Sequence, residues 1–244
     1  MNFNTELVST FRKHWSQSDI DAITKTRPYS TMSTSRARNI LEVVRYVHKN
    51  GVPGDIVECG VFKGGNIAMC MSEMTYVYSD KTFWAYDTYE GVPLDEVTDN
   101  DMEFGIQGEH KQHVTEWFRE IDGEQRMCYC GLDDVKANWQ SAYQELHPGS
   151  DIPTSIKYIK GSVIDTIPET LPEQISFLLL DMDIEKPTEH VLPYLWPLVS
   201  TGGVVQVDDY NTFAGVQKVI DEFFADKNVY IHEIDYTAIS IVKL

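Results

Sequence analysis

Hydrophobic residues fall into two alternating patterns along this chain. Short apolar-rich runs at Asp55–Cys59, Phe83–Tyr86, Ile156–Ile159, Phe177–Leu180 and Val204–Val207 predict strands, and the near-continuous ones at Phe177–Leu180 and Val204–Val207 suit parallel strands covered on both faces. Between them lie stretches with apolar residues three and four apart, which predict helices. Ser35 is placed to cap a helix ending at Gly51, with Ile40, Leu41, Val44 and Val47 on one face. Further helices are expected at Gly65–Tyr76, Asp133–His147, between Asp183 and a Gly202-Gly203 turn, and at Gly215–Ala225. Tyr230–Ile234 and Ala238–Val242, three residues apart, read as an antiparallel hairpin at a sheet edge. The alternation predicts a three-layer α/β fold with a mostly parallel sheet.

Two segments stand outside this rhythm. The first forty residues read as irregular, and with the first helix they make residues 1–50 a helical cap segment. Residues 90–147 form an insertion, acidic and aperiodic from Glu90 to Gln107, then amphipathic around Val114, Trp117, Phe118 and Ile121. A segment of that kind inside a compact domain is expected to be a lid or substrate loop.

The 244 residues carry a formal net charge of −18 and show no compositional break, so one domain is expected, and neither nucleic acid nor an anionic membrane surface suits it as a partner. No run reaches the length of a signal-peptide core or a membrane span, which makes the cytoplasm the expected compartment. Cys59, Cys70, Cys128 and Cys130 lack zinc spacing and are expected to be reduced structural thiols.

The chemistry gathers where strands end. Asp181 and Asp183 follow one apolar run, and Asp208 and Asp209 follow the next. Carboxylates brought together at the carboxyl edge of a sheet resist ionisation unless a cation joins them, so a divalent metal is expected. Glu58-Cys59-Gly60-Val61-Phe62-Lys63-Gly64-Gly65 puts glycines between a strand and a helix, which suits either close ligand approach or a tight turn. Its spacing is not that of the dinucleotide fingerprint. Asp87, before Thr88, ends the next strand and suits either ribose hydroxyls or the capping of the following turn. Gly161-Ser162-Val163 could border a base or simply turn the chain.

From about Arg27 onward the chain resembles the macrocin O-methyltransferase family of S-adenosylmethionine-dependent sugar O-methyltransferases. The segments that carry the likeness are, in order, RPYSTMST, GDIVECGVFKGGN, WAYDTYEGVP, VKANW, IKGSVIDTIP, LLDMDIEKPTEHVLPYLWPLVSTGGVVQVDDY and DYTAISIVK. The resemblance implies a class I methyltransferase fold: a Rossmann-like sheet of seven strands, with the terminal hairpin supplying the antiparallel one. It implies Asp181, Asp208 and Asp209 as ligands of Mg2+; for removing the acceptor's proton, Asp181 is the leading candidate catalytic base and Lys186 a distant second. Glu58, Cys59, Gly60, Gly64 and Gly65 would border the methionine part of S-adenosylmethionine. Asp87 with Thr88 would hold its ribose, and Ser162 with Val163 would flank adenine. Tyr29 and Met32 are expected to help cover a small-molecule sugar, and a homodimer or higher homo-oligomer is expected. Where many relatives have an aromatic residue and then Glu-Ser-Thr, this chain reads Ile184-Glu185-Lys186-Pro187-Thr188. His110 and His113 stand in the region of a lid histidine, either as a base or solvated. A catechol acceptor, a sugar oxidoreductase and a non-enzymatic regulatory domain are the competing readings.

Overall fold

The computed structural model describes residues 15–76, 80–104, 110–152 and 155–244. Helix α1 (Gln17–Thr26) opens with a reciprocal cap in which Asp19 N–H donates to Ser16 Oγ and Ser16 N–H donates back to Asp19 Oδ2. Residues 15–40 are therefore not irregular, while residues 1–14 of that expectation lie outside the described residues. A 3-10 turn at Arg27–Tyr29 leads to α2 (Thr34–Lys49), whose cap is Ser33 rather than Ser35: Ser33 Oγ accepts from Arg36 N–H at 3.2 Å. That two-residue shift places Arg36 in the first turn.

The remaining elements of the main layers are β1 (Asp55–Cys59), α3 (Gly65–Tyr76), β2 (Phe83–Asp87), α4 (Leu132–Leu146), β7 (Ile156–Lys160), α5 (Val163–Thr166), β8 (Ile175–Leu180), α6 (Glu185–Leu195), β9 (Val199–Val207), α7 (Ala214–Phe224), β10 (Val229–Glu233) and β11 (Ile239–Lys243). The sheet runs β10-β11-β9-β8-β1-β2-β7. Strands β9, β8, β1, β2 and β7 are mutually parallel, and β11 is antiparallel to both of its neighbours. The Gly202-Gly203 pair lies within β9, where the pairing with β8 shifts register, instead of forming a turn before it.

Alternate residues of the central strands feed two cores. Ile56, Phe177, Leu179 and Val204 pack with α1 to α4, while Val57, Leu178, Leu180 and Val205 pack with α6 and α7. All six residues of β8 are buried, as expected of a parallel strand with helices on both faces. Edge strand β10 is mostly exposed. Among the described residues no helix is long and apolar enough to cross a membrane.

The insertion contains two small hairpins, β3–β4 (Met102–Phe104 with His110–His113) and β5–β6 (Arg119–Ile121 with Glu124–Arg126). The amphipathic piece resolves into a 3-10 turn at Val114–Trp117 followed by β5. Helix α4 belongs to the helical layer, with Val135, Ala142 and Tyr143 in the core, so the insertion proper ends before Leu132.

Order in the sheet decides where a ligand belongs. The chain builds outward from β1 through β2 to β7, then returns to lay β8 on the other side of β1 and continues to β9. The switch point falls between β1 and β8, and its crevice opens at their carboxyl ends. Leu178, fully buried in β8, tests the core that fixes this geometry. Leu178→Ala should lower stability by about 2–5 kcal/mol, read as a shifted urea midpoint with an unchanged slope.

Candidate active site

The loop after β1 and the end of β8 meet at the switch point. Gly60 has φ +89°, and a Cβ there would lie 1.8 Å from Asp181 O, so only glycine lets the two backbones touch. Asp87, at the end of β2, fastens this loop: its Oδ2 accepts Val61 N–H at 2.6 Å and Phe62 N–H at 3.0 Å. Its Oδ1 accepts Tyr89 N–H at 2.6 Å and so caps the following turn as well. Burial pushes the Asp87 carboxyl up, and these backbone N–H groups pull it back.

Gly60, Phe62, Asp87, Thr88, Ser162 and Val163 border one cavity of about 1300 Å³. Glu58, Cys59, Gly64 and Gly65 do not line it. Glu58 lies fully buried; its Oε1 accepts Asn66 Nδ2 at 2.7 Å, its Oε2 has no partner, and burial pushes it up to about 8. Gly65 packs against the backbone of Tyr29. Ser162 caps α5, its Oγ accepting Ile164 N–H at 3.1 Å.

The same cavity holds the aspartates. Asp181, Asp208 and Asp209 each offer an oxygen, and the three lie within 4.8 Å of one another. Burial, reinforced by the neighbouring carboxylates, drives Asp181 and Asp183 well above the ordinary carboxylate range. Asp208 is pushed up to about 7, mainly by burial and against the pull of Arg36. Asp208 Oδ1 and Asp209 Oδ2 are buried without a hydrogen-bond partner. A set of hard oxygen donors with two orphaned atoms and excess negative charge fits a divalent cation such as magnesium.

The cavity is also lined by Glu103, Trp117, Met127 and Cys128 of the insertion and by Phe213 and Tyr236. Trp117 meets Phe213 edge-on, with ring centroids 5.9 Å apart. The exposed Cys128 borders the cavity 3.5 Å from Asp183 Oδ2, a position its expected structural role did not include. All four cysteines are free.

The insertion is tied to the start of α6. Glu185, in the segment that departs from the resembled pattern, accepts Thr98 Oγ1 at 2.7 Å and both Asn100 Nδ2 and Lys218 Nζ. Glu185 N–H donates to the buried Asp101 at 2.7 Å.

Other sequence candidates lie apart from the cavity. His113 is half-buried, its Nε2 lies 2.8 Å from Thr98 O and helps brace the insertion, and it does not line the cavity. The His110 side chain lies outside the described residues. Lys186 Nζ donates to Asp95 O at 3.0 Å. Met32 is buried beneath Gln206, and Tyr29 is half-buried against the core; their segment reaches the cavity through Thr31 and Arg36 instead.

Residues 11–243 match the sequence profile of the Macrocin-O-methyltransferase (TylF) family. The chain belongs to that family. Within it, the chain is 27% identical over 198 residues to demethyldecarbamoylnovobiocin O-methyltransferase of Streptomyces niveus, covering 81% of this chain and 68% of that one. It is 25% identical over 184 residues to mycinamicin III 3''-O-methyltransferase of Micromonospora griseorubida, covering 75% and 65%. The chain thus spans about two thirds of the length of these curated relatives. The solved O-methyltransferase NovP superposes with a TM-score of 0.72 at 25% identity, over 88% of this chain and 82% of that one. Calicheamicin methyltransferase CalS11, at 18% identity and a TM-score of 0.62, shares the fold over 94% of each chain. The fold is that of the class I S-adenosylmethionine-dependent O-methyltransferases, and the family is one of O-methyltransferases acting in sugar and natural-product chemistry.

The buried Glu58 predicts a pH dependence. Its folded pKa of about 8 lies above its ordinary value of about 4.3, so the native state keeps a proton that the unfolded chain releases. Its contribution to stability is complete below about pH 4 and is lost as pH rises through 8. Urea midpoints of the cation-free protein should fall between pH 5 and 8, and Glu58→Gln should flatten that fall. An equal slope in the variant would remove Glu58 as a source.

Proposed function

We propose that the protein transfers a methyl group from S-adenosylmethionine to a hydroxyl of a sugar, with magnesium as a resident cation. What carries this reading is a single cavity lined both by a glycine loop with Asp87 and by three clustered aspartates. The relatives add support, since all are named O-methyltransferases and one, 27% identical over 184 residues, is named for a rhamnosyl-tetracenomycin C. Two proteins of the same fold were solved with S-adenosylhomocysteine bound, a Podospora anserina methyltransferase and a Bacillus cereus O-methyltransferase.

In this reading Asp87 and Thr88 face the ribose, Ser162 and Val163 flank the adenine, and Gly60 admits the methionine portion close to the backbone. Glu58, Cys59, Gly64 and Gly65 support that loop from behind. Methyl transfer from a sulfonium is a direct displacement, so the protein's main task is to hold the acceptor oxygen in line with the methyl carbon. Asp181, Asp208 and Asp209 would hold the magnesium ion. When bound, that ion supplies positive charge that orients neighbouring hydroxyls and lowers the pKa of the one to be methylated. Asp181, at the switch point beside Gly60, is the residue assigned to receive the acceptor's proton. Trp117 offers an apolar face for a sugar ring, and Asn211, Thr212 and Gln217 offer polar groups on the same wall. The cytoplasm, which supplies S-adenosylmethionine, is the expected compartment.

Calorimetric titration of S-adenosylmethionine and S-adenosylhomocysteine, with and without magnesium, tests the cofactor. Both should bind, and Asp87→Ala should weaken them by roughly 10- to 100-fold, the worth of charge-assisted hydrogen bonds to ribose. No binding in either condition would end the methyltransferase reading. Asp208→Asn should lose about 100-fold or more in turnover, along with the response to added magnesium, while keeping cofactor affinity. Unchanged turnover would rule out the cation's part.

A further inference from the structure

Arg36 occupies a position that helix formation does not explain. It stands three residues after the cap Ser33, in the first turn of α2, where the helix dipole disfavours a cation and an acidic residue is the usual choice. A residue that breaks its local rule is held by something else. Its guanidinium is only 12% exposed and reaches across the fold: Nη1 pairs with Asp208 Oδ2, and Nε lies 3.3 Å from Asp235 Oδ2. Asp235 stands in the turn between β10 and β11, where its Oδ1 accepts Thr237 N–H at 2.9 Å, Thr237 Oγ1 at 2.9 Å and Ala238 N–H at 3.0 Å. Ser33 Oγ donates to Asp235 Oδ2 and completes the bracket. On the other side of the same carboxylate, Asp208 Oδ1 is buried and unpartnered.

We propose that Arg36 is a positioning residue for the cation: it clamps one oxygen of Asp208 so that the carboxylate offers the other, Oδ1, as a single-oxygen ligand. This inference rests on reading Asp181, Asp208 and Asp209 as a divalent-cation site. Without the clamp the carboxylate can turn about its Cβ–Cγ bond, and both of its oxygens compete for the ion. A lysine at position 36 keeps the charge but lacks the planar fork that meets Asp208 and Asp235 together.

The test titrates Mn2+ and Mg2+ into the full chain without acceptor and follows free Mn2+ by electron paramagnetic resonance. Arg36→Ala should weaken Mn2+ by about 10- to 100-fold, as removal of a hydrogen bond to a ligating side chain does, and Arg36→Lys should recover only part of the loss. Millimolar guanidinium should restore Mn2+ affinity to Arg36→Ala, whereas ammonium should not; a role limited to folding would not show that selectivity. Affinity for S-adenosylhomocysteine should stay unchanged in both variants. If Arg36→Ala does not fold, Asp235→Asn loosens the guanidinium from its far side and should weaken Mn2+ by a smaller factor. Equal or tighter Mn2+ binding in whichever variant folds would overturn the clamp and leave the cation site standing. A wild-type protein that binds neither ion would overturn the cation site, and the clamp with it.

Discussion

Four aspartates crowded at the carboxyl ends of two adjacent strands set the terms for the rest of the molecule. Asp181 and Asp183 follow β8, and Asp208 and Asp209 follow β9, and none of them can be moved without moving the centre of the sheet. Buried like charges are costly unless positive charge is brought to them. The fold brings one such charge of its own, the Arg36 guanidinium, and leaves two carboxylate oxygens for another. Helix α2, the end of β9 and the last turn of the chain all meet there.

The two halves of the cavity are built from different materials. At the glycine loop the wall is largely backbone, with Gly60 against Asp181 O and Asp87 holding two successive N–H groups, which gives rigidity with little dependence on side-chain identity. Another part of the lining is made of side chains carried by the insertion, fastened through Glu185 and Asp101.

The central parallel strands were legible because burial on both faces leaves near-continuous apolar runs, as in β8, while the edge strand β7 is only partly buried; most boundaries fall within two residues of those the pattern predicts. Helix α1 escaped notice because its capping box closes with Asp19 in place of the usual glutamate or glutamine, and its buried face is only Ala22, Ile23, Thr26 and that same aspartate. The hairpins of the insertion are three- and four-residue strands of largely polar composition, and β5 and β6 are stabilised by pairing and not by burial. Within the site, the aspartates stood out because they terminate strands. Arg36 did not, since it is 172 residues from its partner Asp208 and only the folded sheet brings them together. Asp87 could be read as a ribose ligand or a turn cap, and the structure shows it capping that turn and fastening the glycine loop, with Oδ2 accepting two N–H groups and Oδ1 accepting the Tyr89 N–H and the Thr88 hydroxyl.

The Arg36 bracket also bears on how the chain can be engineered. One of its jaws comes from the first long helix and the other from the turn before the final strand, so trimming from either end reaches the heart of the protein long before it reaches the sheet's middle. A permuted chain with new termini in the insertion keeps both jaws; a chain shortened at both ends to a minimal core keeps neither.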